Sequence, residues 1–408
     1  MKILYLTYDG LSDPLGQSQI LPYLAGLSDK GVDITIVSFE KKNTPENLYS
    51  SIRKELDTHK IKWIFLNYTK YPPVLSTLYD IYRLRKISYR LTKQNHFRLV
   101  HCRSYITSLV GLQLKNQYGI KFVFDMRGFY ADERVESGLW NQQHIIYRMV
   151  YRYFKKKEKI FLSAADKIVV LTNAAKDVIS KSFFIPVSKI QVIPCCVDTN
   201  QFNPENISIG LQTTRKKELS ISDADFVVSY LGTIGTWYLL DEMLDFFNRL
   251  LITFPNSKFL FITQHPSDEI FKSVLKKNIA KEKIIIIKAQ RNEVPVFLSL
   301  SHLSIYFIMP TFSKLASSPT KQAEILSMGI PVISNSGIGD SVDLMNHSKA
   351  GWLIDNFTND EFDRAIKNIP LLLKINKDEI RNFAISRLSL SGGIDHYLNI
   401  YNEIQKAG

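Results

Sequence analysis

Cysteine is scarce in this 408-residue sequence: there are three, at Cys102, Cys195 and Cys196, too few for a disulfide framework and without the spacing of metal ligands. A disulfide-stapled secreted domain and a cysteine-ligated metal site are therefore excluded, and a reducing cytoplasm is the expected compartment. The adjacent Cys195 and Cys196 are read as inert rather than as a redox couple. Long apolar runs are missing too. Stretches such as Phe226 to Leu231 and Ile284 to Ile287 fall far short of the ~20 residues needed to span a bilayer. The run beginning at Lys2 is too short, and lacks the cleavage site, for a signal peptide; it reads as a first strand. No G-x-G-x-x-G occurs, which counts against a dinucleotide-binding dehydrogenase, and no repeat or low-complexity tract is evident.

What is present is an ordinary globular composition, 45% apolar and 22% charged, and length enough for two domains. Short apolar runs alternate with longer helical stretches, the pattern of parallel sheets covered by helices. Strands are expected over 2–7, 33–38, 61–66, 98–102, 121–125, 167–171 and 191–193. A second set is expected over 226–231, 258–263, 283–287, 303–308, 331–334 and 351–354. Residues 205–224 read as a polar linker, giving a first domain 1–204, a second 205–388 and a terminal helical segment 389–408.

The net charge of +13 gathers in two segments of the first half, Arg83 to Lys93 and Arg148 to Lys159, where bases interleave with apolar residues at helical spacing. Such faces suit an anionic membrane surface, each base contributing about 1 kcal/mol near the headgroups. Two solvated helix faces are the plain alternative. Nucleic acid is not the expected partner, since no RNP, zinc-finger or basic-zipper motif accompanies the charge.

The most informative stretch is Ser317-Ser318-Pro319-Thr320-Lys321-Gln322-Ala323-Glu324, which opens a helix to about Met328 between two buried strands. Ser318 is expected to cap it, with Pro319 at the first helical position. A capping box would carry Glu or Gln third, and Lys321 stands there instead. A cation at the positive end of the helix dipole costs roughly 0.3–1 kcal/mol unless an anion joins it, so a phosphate is expected. Taken alone, the pattern also allows a lysine turned to solvent. Other polar loops follow strand ends. Asp9 to Ser18 places Gly16 and Gln17 at a helix start, although a tight turn explains that glycine equally well. Gly232, Thr233 and Thr236 follow the strand 226–231 and offer amides and hydroxyls to a phosphate, without a cation. Arg127, Asp132 and Glu133 follow the strand 121–125, as catalytic-side loops do in open α/β sheets.

Together these residues resemble the retaining GT-B-fold glycosyltransferases of family 4, over nearly the whole chain. The resemblance rests on the Gly16 loop, on VIPCCVDTNQF (192–202), and on SSPTKQAEILSMGIPVISNSGIGD (317–340). It implies two Rossmann-like doubly wound domains facing across a cleft, with acceptor bound to the first and nucleotide sugar to the second. By that resemblance Lys321 holds the donor phosphates and Glu324 accepts from the ribose hydroxyls. Gly16, Gln17, Ser318, Pro319 and Thr320 line the donor. Arg127 stands where many members have a histidine and acts as a fixed cation. Asp9, Asp132 and Glu133 fall on the acceptor side.

Three departures stand out. The family's first glutamate, eight positions before Glu324, is Ala316; the cations usual after the second domain's first strand are absent from GTIGTWY; and Cys195-Cys196 replaces a common Asn-Gly. Diphosphate charge then rests on Lys321, Arg127, Arg291 and helix amides. The resemblance implies retaining transfer from a UDP- or GDP-linked sugar to a glycan or polyprenyl-linked acceptor in bacterial surface-polysaccharide synthesis. No cofactor or metal is expected, and the protein is expected in the cytoplasm, peripheral on the membrane. The alternatives are a sugar-nucleotide epimerase of the same fold and a non-catalytic nucleotide-sugar-binding scaffold.

Overall fold

The computed structural model describes residues 1–406. The chain divides into two compact units, Met1–Pro194 with Leu390–Gly408, and Cys195–Ser389.

The first unit is built on seven parallel strands: β1 (Lys2–Thr7), β2 (Asp33–Glu40), β3 (Lys62–Asn67), β4 (Leu99–Arg103), β5 (Lys121–Asp125), β6 (Lys167–Val170) and β7 (Ile190–Val192), in the order β3-β2-β1-β4-β5-β6-β7. β1, β4 and β5 are almost wholly buried, as strands sandwiched between helix layers must be, and they are apolar at most positions, with charged or polar residues gathered toward their ends. Strand order reverses between β1 and β4, and loops leaving the carboxyl ends of these two strands part there to opposite faces. The first helices bury Ile20, Leu21, Leu24 and Leu27, as their spacing requires. The terminal helix Leu390–Lys406 belongs to this unit and packs on Leu21–Asp29, with Ile394 against Gly26.

The second unit repeats the plan with six parallel strands: β8 (Phe226–Leu231), β9 (Ser257–Ile262), β10 (Ile284–Ile287), β11 (Leu303–Ile305), β12 (Val332–Asn335) and β13 (Gly351–Ile354), in the order β10-β9-β8-β11-β12-β13. Its reversal lies between β8 and β11.

Three expectations need correction. The division falls between Pro194 and Cys195, not at 204/205, because Phe202 is buried in the second unit's core and Val197 pairs with Ser389. The stretch 205–224 is no linker: Ile209–Glu218 is a helix, capped by Ser208 and carrying Arg215, Lys216 and Lys217 in its last turn, where cations suit the dipole. Ile207 and Ile221 on either side of it enter the core. The strand expected over 303–308 ends at Ile305. Beyond it the chain bridges the loop after β8, Tyr238 with Ile308, and Leu239 N–H donates to the Phe307 carbonyl at 3.0 Å. The Asn335 side chain then brackets both backbone groups of Ile308, at 2.8 and 2.9 Å.

Candidate functional site

In the first unit the loop after β1 is pinned by one buried carboxylate. Glu40, at the end of β2, accepts from the Leu11 and Ser12 amides at 2.7 and 3.1 Å and from the hydroxyls of Ser12 and Ser38 at 2.6 and 2.7 Å. The loop passes so close to itself that a β-carbon on Gly16 would overlap the Gly10 carbonyl oxygen. Gly16 is therefore demanded by packing, and Gln17 donates to the Ser12 carbonyl at 3.1 Å.

At the β1/β4 reversal lies a compact charged group. Arg103, ending β4 and 4% exposed, donates from Nε to Asp9 at 3.2 Å and approaches Asp125 at 4.0 Å. Arg127, held at a left-handed φ of +60°, lies 3.8 Å from the other Asp125 oxygen. The buried Asp125 also accepts from the Tyr397 hydroxyl at 3.1 Å and from His101 Nε2 at 3.4 Å. Burial alone would raise the Asp125 carboxyl, but Arg127, His101 and Arg103 outweigh it and hold it below the usual aspartate range. Burial pushes His101 the other way, toward the neutral ring, with Asp125 opposing. A neutral His101 that donates from Nε2 leaves Nδ1 to accept from the Tyr401 hydroxyl at 2.7 Å. Two tyrosines of the terminal helix thus complete this centre.

Asp132 and Glu133 lie on the helix Tyr130–Glu136. Both Asp132 oxygens are engaged, by Tyr151 at 3.0 Å and Lys155 at 2.8 Å, and Lys155 also donates to the buried Glu158 at 2.6 Å. Burial raises the Glu158 carboxyl despite Lys155. Asp132 therefore ties its helix to Ile145–Ala164, and Asp9, 47% exposed on its side chain, is the carboxylate of the group turned more to solvent.

In the second unit the helix after β11 is Thr320–Ser327. It starts one residue later than expected: Pro319 occupies the cap position, and the Ser318 hydroxyl accepts instead from the Cys195 amide at 3.1 Å. Lys321 is not turned to solvent. It is 6% exposed, its ammonium 3.6 Å from the Tyr238 ring centre and 4.2 Å from that of Tyr230, whose hydroxyl accepts from it at 3.0 Å. Tyr306 closes the pocket at 5.9 Å. Tyr230 ends toward the reversal from β8, and Tyr306 follows β11, so the lysine sits over the switch point. Burial holds its pKa well below the ordinary lysine value, with Glu324 opposing. Gly232, at φ +116°, leaves open ground beside the ammonium, since a β-carbon there would stand 3.0 Å from Nζ.

Glu324, one helical turn on and buried, accepts from Arg291 at 2.7 Å, and that guanidinium lies 5.2 Å from the Phe202 ring centre. Thr233 accepts on its carbonyl from the Tyr230 hydroxyl, while Thr236 takes a positive φ of 35° in the same loop. Sequence reasoning missed Arg103, His101, Tyr397 and Tyr230. Arg103 was legible in principle as a charge at a strand's carboxyl end. The cysteines are buried and form no disulfide, and no group of ligands able to hold a metal occurs among the described residues.

Two doubly wound units, each gathering its charged side chains where strand order reverses, define a glycosyltransferase of the GT-B fold. The chain belongs to glycosyltransferase family 4: the model of Glycosyltransferase Family 4 matches residues 20–201, and that of Glycosyl transferases group 1 matches residues 212–384. A curated relative, the UDP-Gal:alpha-D-GlcNAc-diphosphoundecaprenol alpha-1,3-galactosyltransferase of Escherichia coli, is 22% identical over 320 residues, 77% of each chain. Among solved structures, sucrose-phosphate synthase of Thermosynechococcus elongatus superposes with a TM-score of 0.75 at 14% identity, covering 100% of both chains. The Anabaena protein HepE in complex with UDP-glucose does so at 0.70 and 13% identity, covering 99% of this chain and 100% of that one.

Proposed function

We propose that this glycosyltransferase moves a hexose from a nucleoside diphosphate sugar, UDP-linked, to a polyprenyl-diphosphate-linked glycan, with retention at the anomeric carbon, in surface-polysaccharide synthesis. The observation that carries the donor reading is the buried ammonium of Lys321, matched by tyrosines and not by a contacting carboxylate, at a helix N-terminus beside Gly232. Burying an ammonium is costly, and a cation–π contact returns only about 2 kcal/mol, so the pocket is completed by an anion. Glu324, oriented by Arg291, accepts from the ribose hydroxyls. Gly232, Thr233, Thr236, Ser318 and Thr320 surround the diphosphate. Uridine and the lipid-linked acceptor are supported by what the E. coli relative and HepE handle.

In the transfer, the bond from C1 to the diphosphate oxygen breaks with its electron pair on that oxygen. The acceptor hydroxyl bonds to C1 on the same face, and its proton passes to the departing phosphate. Lys321 and the helix amides stabilise the charge that develops, without a metal, so EDTA is expected to leave the rate unchanged. Arg103 and Arg127, steadied by Asp125, supply the fixed positive charge of the acceptor unit, with Asp9 and Glu133 beside the incoming glycan.

The acceptor's lipid requires a membrane, and the first unit offers a surface for it. The helices Leu75–Asn95 and Ile145–Ala164 both pack on Ser104–Tyr118 and both begin at the carboxyl edge of the sheet. At those starts Leu75, Leu78, Tyr79 and Tyr82, and Ile145, Ile146 and Met149, are exposed, with exposed bases such as Lys86, Arg90, Arg152 and Lys156 behind them. An apolar rim backed by cations suits the interface of an anionic bilayer. Lys86, Arg90 and Lys93 changed together to Glu should release the protein from phosphatidylglycerol vesicles; undiminished binding contradicts this docking.

The function is tested by incubation with UDP-galactose, UDP-glucose, UDP-N-acetylglucosamine and GDP-mannose, with and without polyprenyl-diphosphate-linked N-acetylglucosamine. Nucleotide release that requires the lipid acceptor is the expected result. An epimerised sugar nucleotide, or binding without turnover, would replace it with an epimerase or a scaffold.

A further inference from the structure

The terminal helix Leu390–Lys406 lies on the first unit with one face, which carries Ile394, Tyr397, Ile400, Tyr401 and Ile404 at helical spacing. Ion pairs tie it at its flanks, Asp395 to Lys30 and Glu403 to Lys167. The two tyrosines do something more than pack. They stand one turn apart, both are buried, and both hydroxyls are spent inside the charged group at the β1/β4 reversal. A helix that needed only packing would be served by phenylalanine, since a buried hydroxyl gains little net free energy even when it is bonded.

The distances around Asp125 show what those hydroxyls do. Asp125 accepts from Tyr397 at 3.1 Å and from His101 Nε2 at 3.4 Å, whereas Arg103 and Arg127 stand off at 4.0 and 3.8 Å. The carboxylate plane is therefore set by the neutral donors, and the arginines align to it at ion-pair range. A neutral His101 donates from Nε2 only if Nδ1 carries no proton. The Tyr401 hydroxyl, donating to Nδ1 at 2.7 Å, selects that tautomer. The opposite tautomer would turn an Nε2 lone pair on the carboxylate. The imidazole is packed by the Tyr5 ring at 4.6 Å and by those of Tyr397 and Tyr401 at 5.5 and 5.9 Å.

We propose that Tyr397 and Tyr401 are positioning residues for acceptor binding: Tyr397 directly, and Tyr401 through the tautomer of His101, orient the Asp125 carboxylate that aligns Arg103 and Arg127. The inference rests on the acceptor-side role given above to those two arginines. Loss of either hydroxyl frees the carboxylate to turn and loosens both guanidinium groups together.

Steady-state transfer to polyprenyl-diphosphate-linked N-acetylglucosamine tests this, with whichever of the four nucleotide sugars above the wild type uses and with each substrate varied in turn. In Tyr397→Phe the acceptor KM should rise about 10-fold, and in Tyr401→Phe about 5-fold, with the donor KM changed by less than about 2-fold in both. Partial unfolding would lower kcat and leave both KM values in place. Ile400→Val, on the same helix face, is the packing control: it should lower the melting temperature without moving the acceptor KM. Imidazole nitrogen chemical shifts of His101 give a second readout. The wild type should show a neutral ring protonated at Nε2, and Tyr401→Phe an Nδ1 signal shifted toward that of an unbonded ring nitrogen. An acceptor KM unchanged in both Phe variants, or raised equally by Ile400→Val, overturns the proposal, as does a wild-type ring protonated at Nδ1. If the wild type transfers from none of the four donors, the functional reading falls and takes the proposal with it. Transfer by the wild type with an unchanged acceptor KM in the Phe variants leaves that reading standing and removes only the positioning role.

Discussion

The two units treat buried charge in opposite ways. In the first, every charge at the switch point has a counter-charge: Arg103 lies between Asp9 and Asp125, Arg127 beside Asp125, and Lys155 between Asp132 and Glu158. In the second, the Lys321 ammonium is held by a phenol oxygen and the faces of tyrosines, and Glu324 nearby is taken by Arg291. A neutralised network is stable by itself and serves to hold its members still. An ammonium on aromatic faces is held in place but left electrically incomplete. The contrast separates a unit whose buried charges are paired with counter-charges from one whose buried ammonium rests on aromatic faces.

That contrast makes unequal predictions for similar truncations. The largest effect belongs to Lys321→Ala, which should lower turnover by about 1,000-fold or more while leaving the melting temperature unchanged or raised, since it removes a dehydrated charge. Activity within about 10-fold of wild type would break the comparison at its centre.

Asp125→Asn should do the reverse. It leaves two arginines facing each other without their shared anion, at a cost of about 3–5 kcal/mol of stability read by urea unfolding. The folded Asp125 pKa is depressed, so its contribution is present above the ordinary aspartate value, about 3.9, and is lost as pH falls through the lower folded value. The gap between wild type and variant should therefore close in acid. A gap that stays constant to low pH would assign the loss to packing and not to charge.

The smallest effect is expected of Arg291→Ala. Glu324 keeps its place on the helix but loses the guanidinium that orients it, and the donor KM should rise about 10-fold with kcat less affected. An unchanged KM would remove Glu324 from the ribose.

Much of this architecture was legible because it is local. The runs at 2–7, 121–125, 226–231 and 351–354 are strands to the residue; the first three are buried on both faces, and such a strand writes itself as a mostly apolar stretch. Lys321 drew notice for a similar reason, being the wrong charge for its place in the helix. What escaped is set by distant partners. Ser318 has a cap's identity, but its hydroxyl is claimed by an amide 123 residues away. Arg103 read as the residue after a strand, and its importance lies in Asp9 and Asp125. The stretch 205–224 looked like a linker because its helix is nearly all polar, with Ile207 and Ile221 outside it doing the packing.

The most direct test of the central claim is the proton balance of UDP binding. Lys321 starts with a pKa depressed by burial, and a diphosphate beside it raises that pKa, so binding should take up protons above the depressed value and weaken as pH rises. Titration calorimetry over a series of pH values on the alkaline side of neutrality, each in two phosphate-free buffers with very different ionisation heats, measures that uptake. The account predicts net proton uptake in the wild-type protein and none in Lys321→Met. Equal heats in the two buffers for the wild type, with UDP bound, would contradict it.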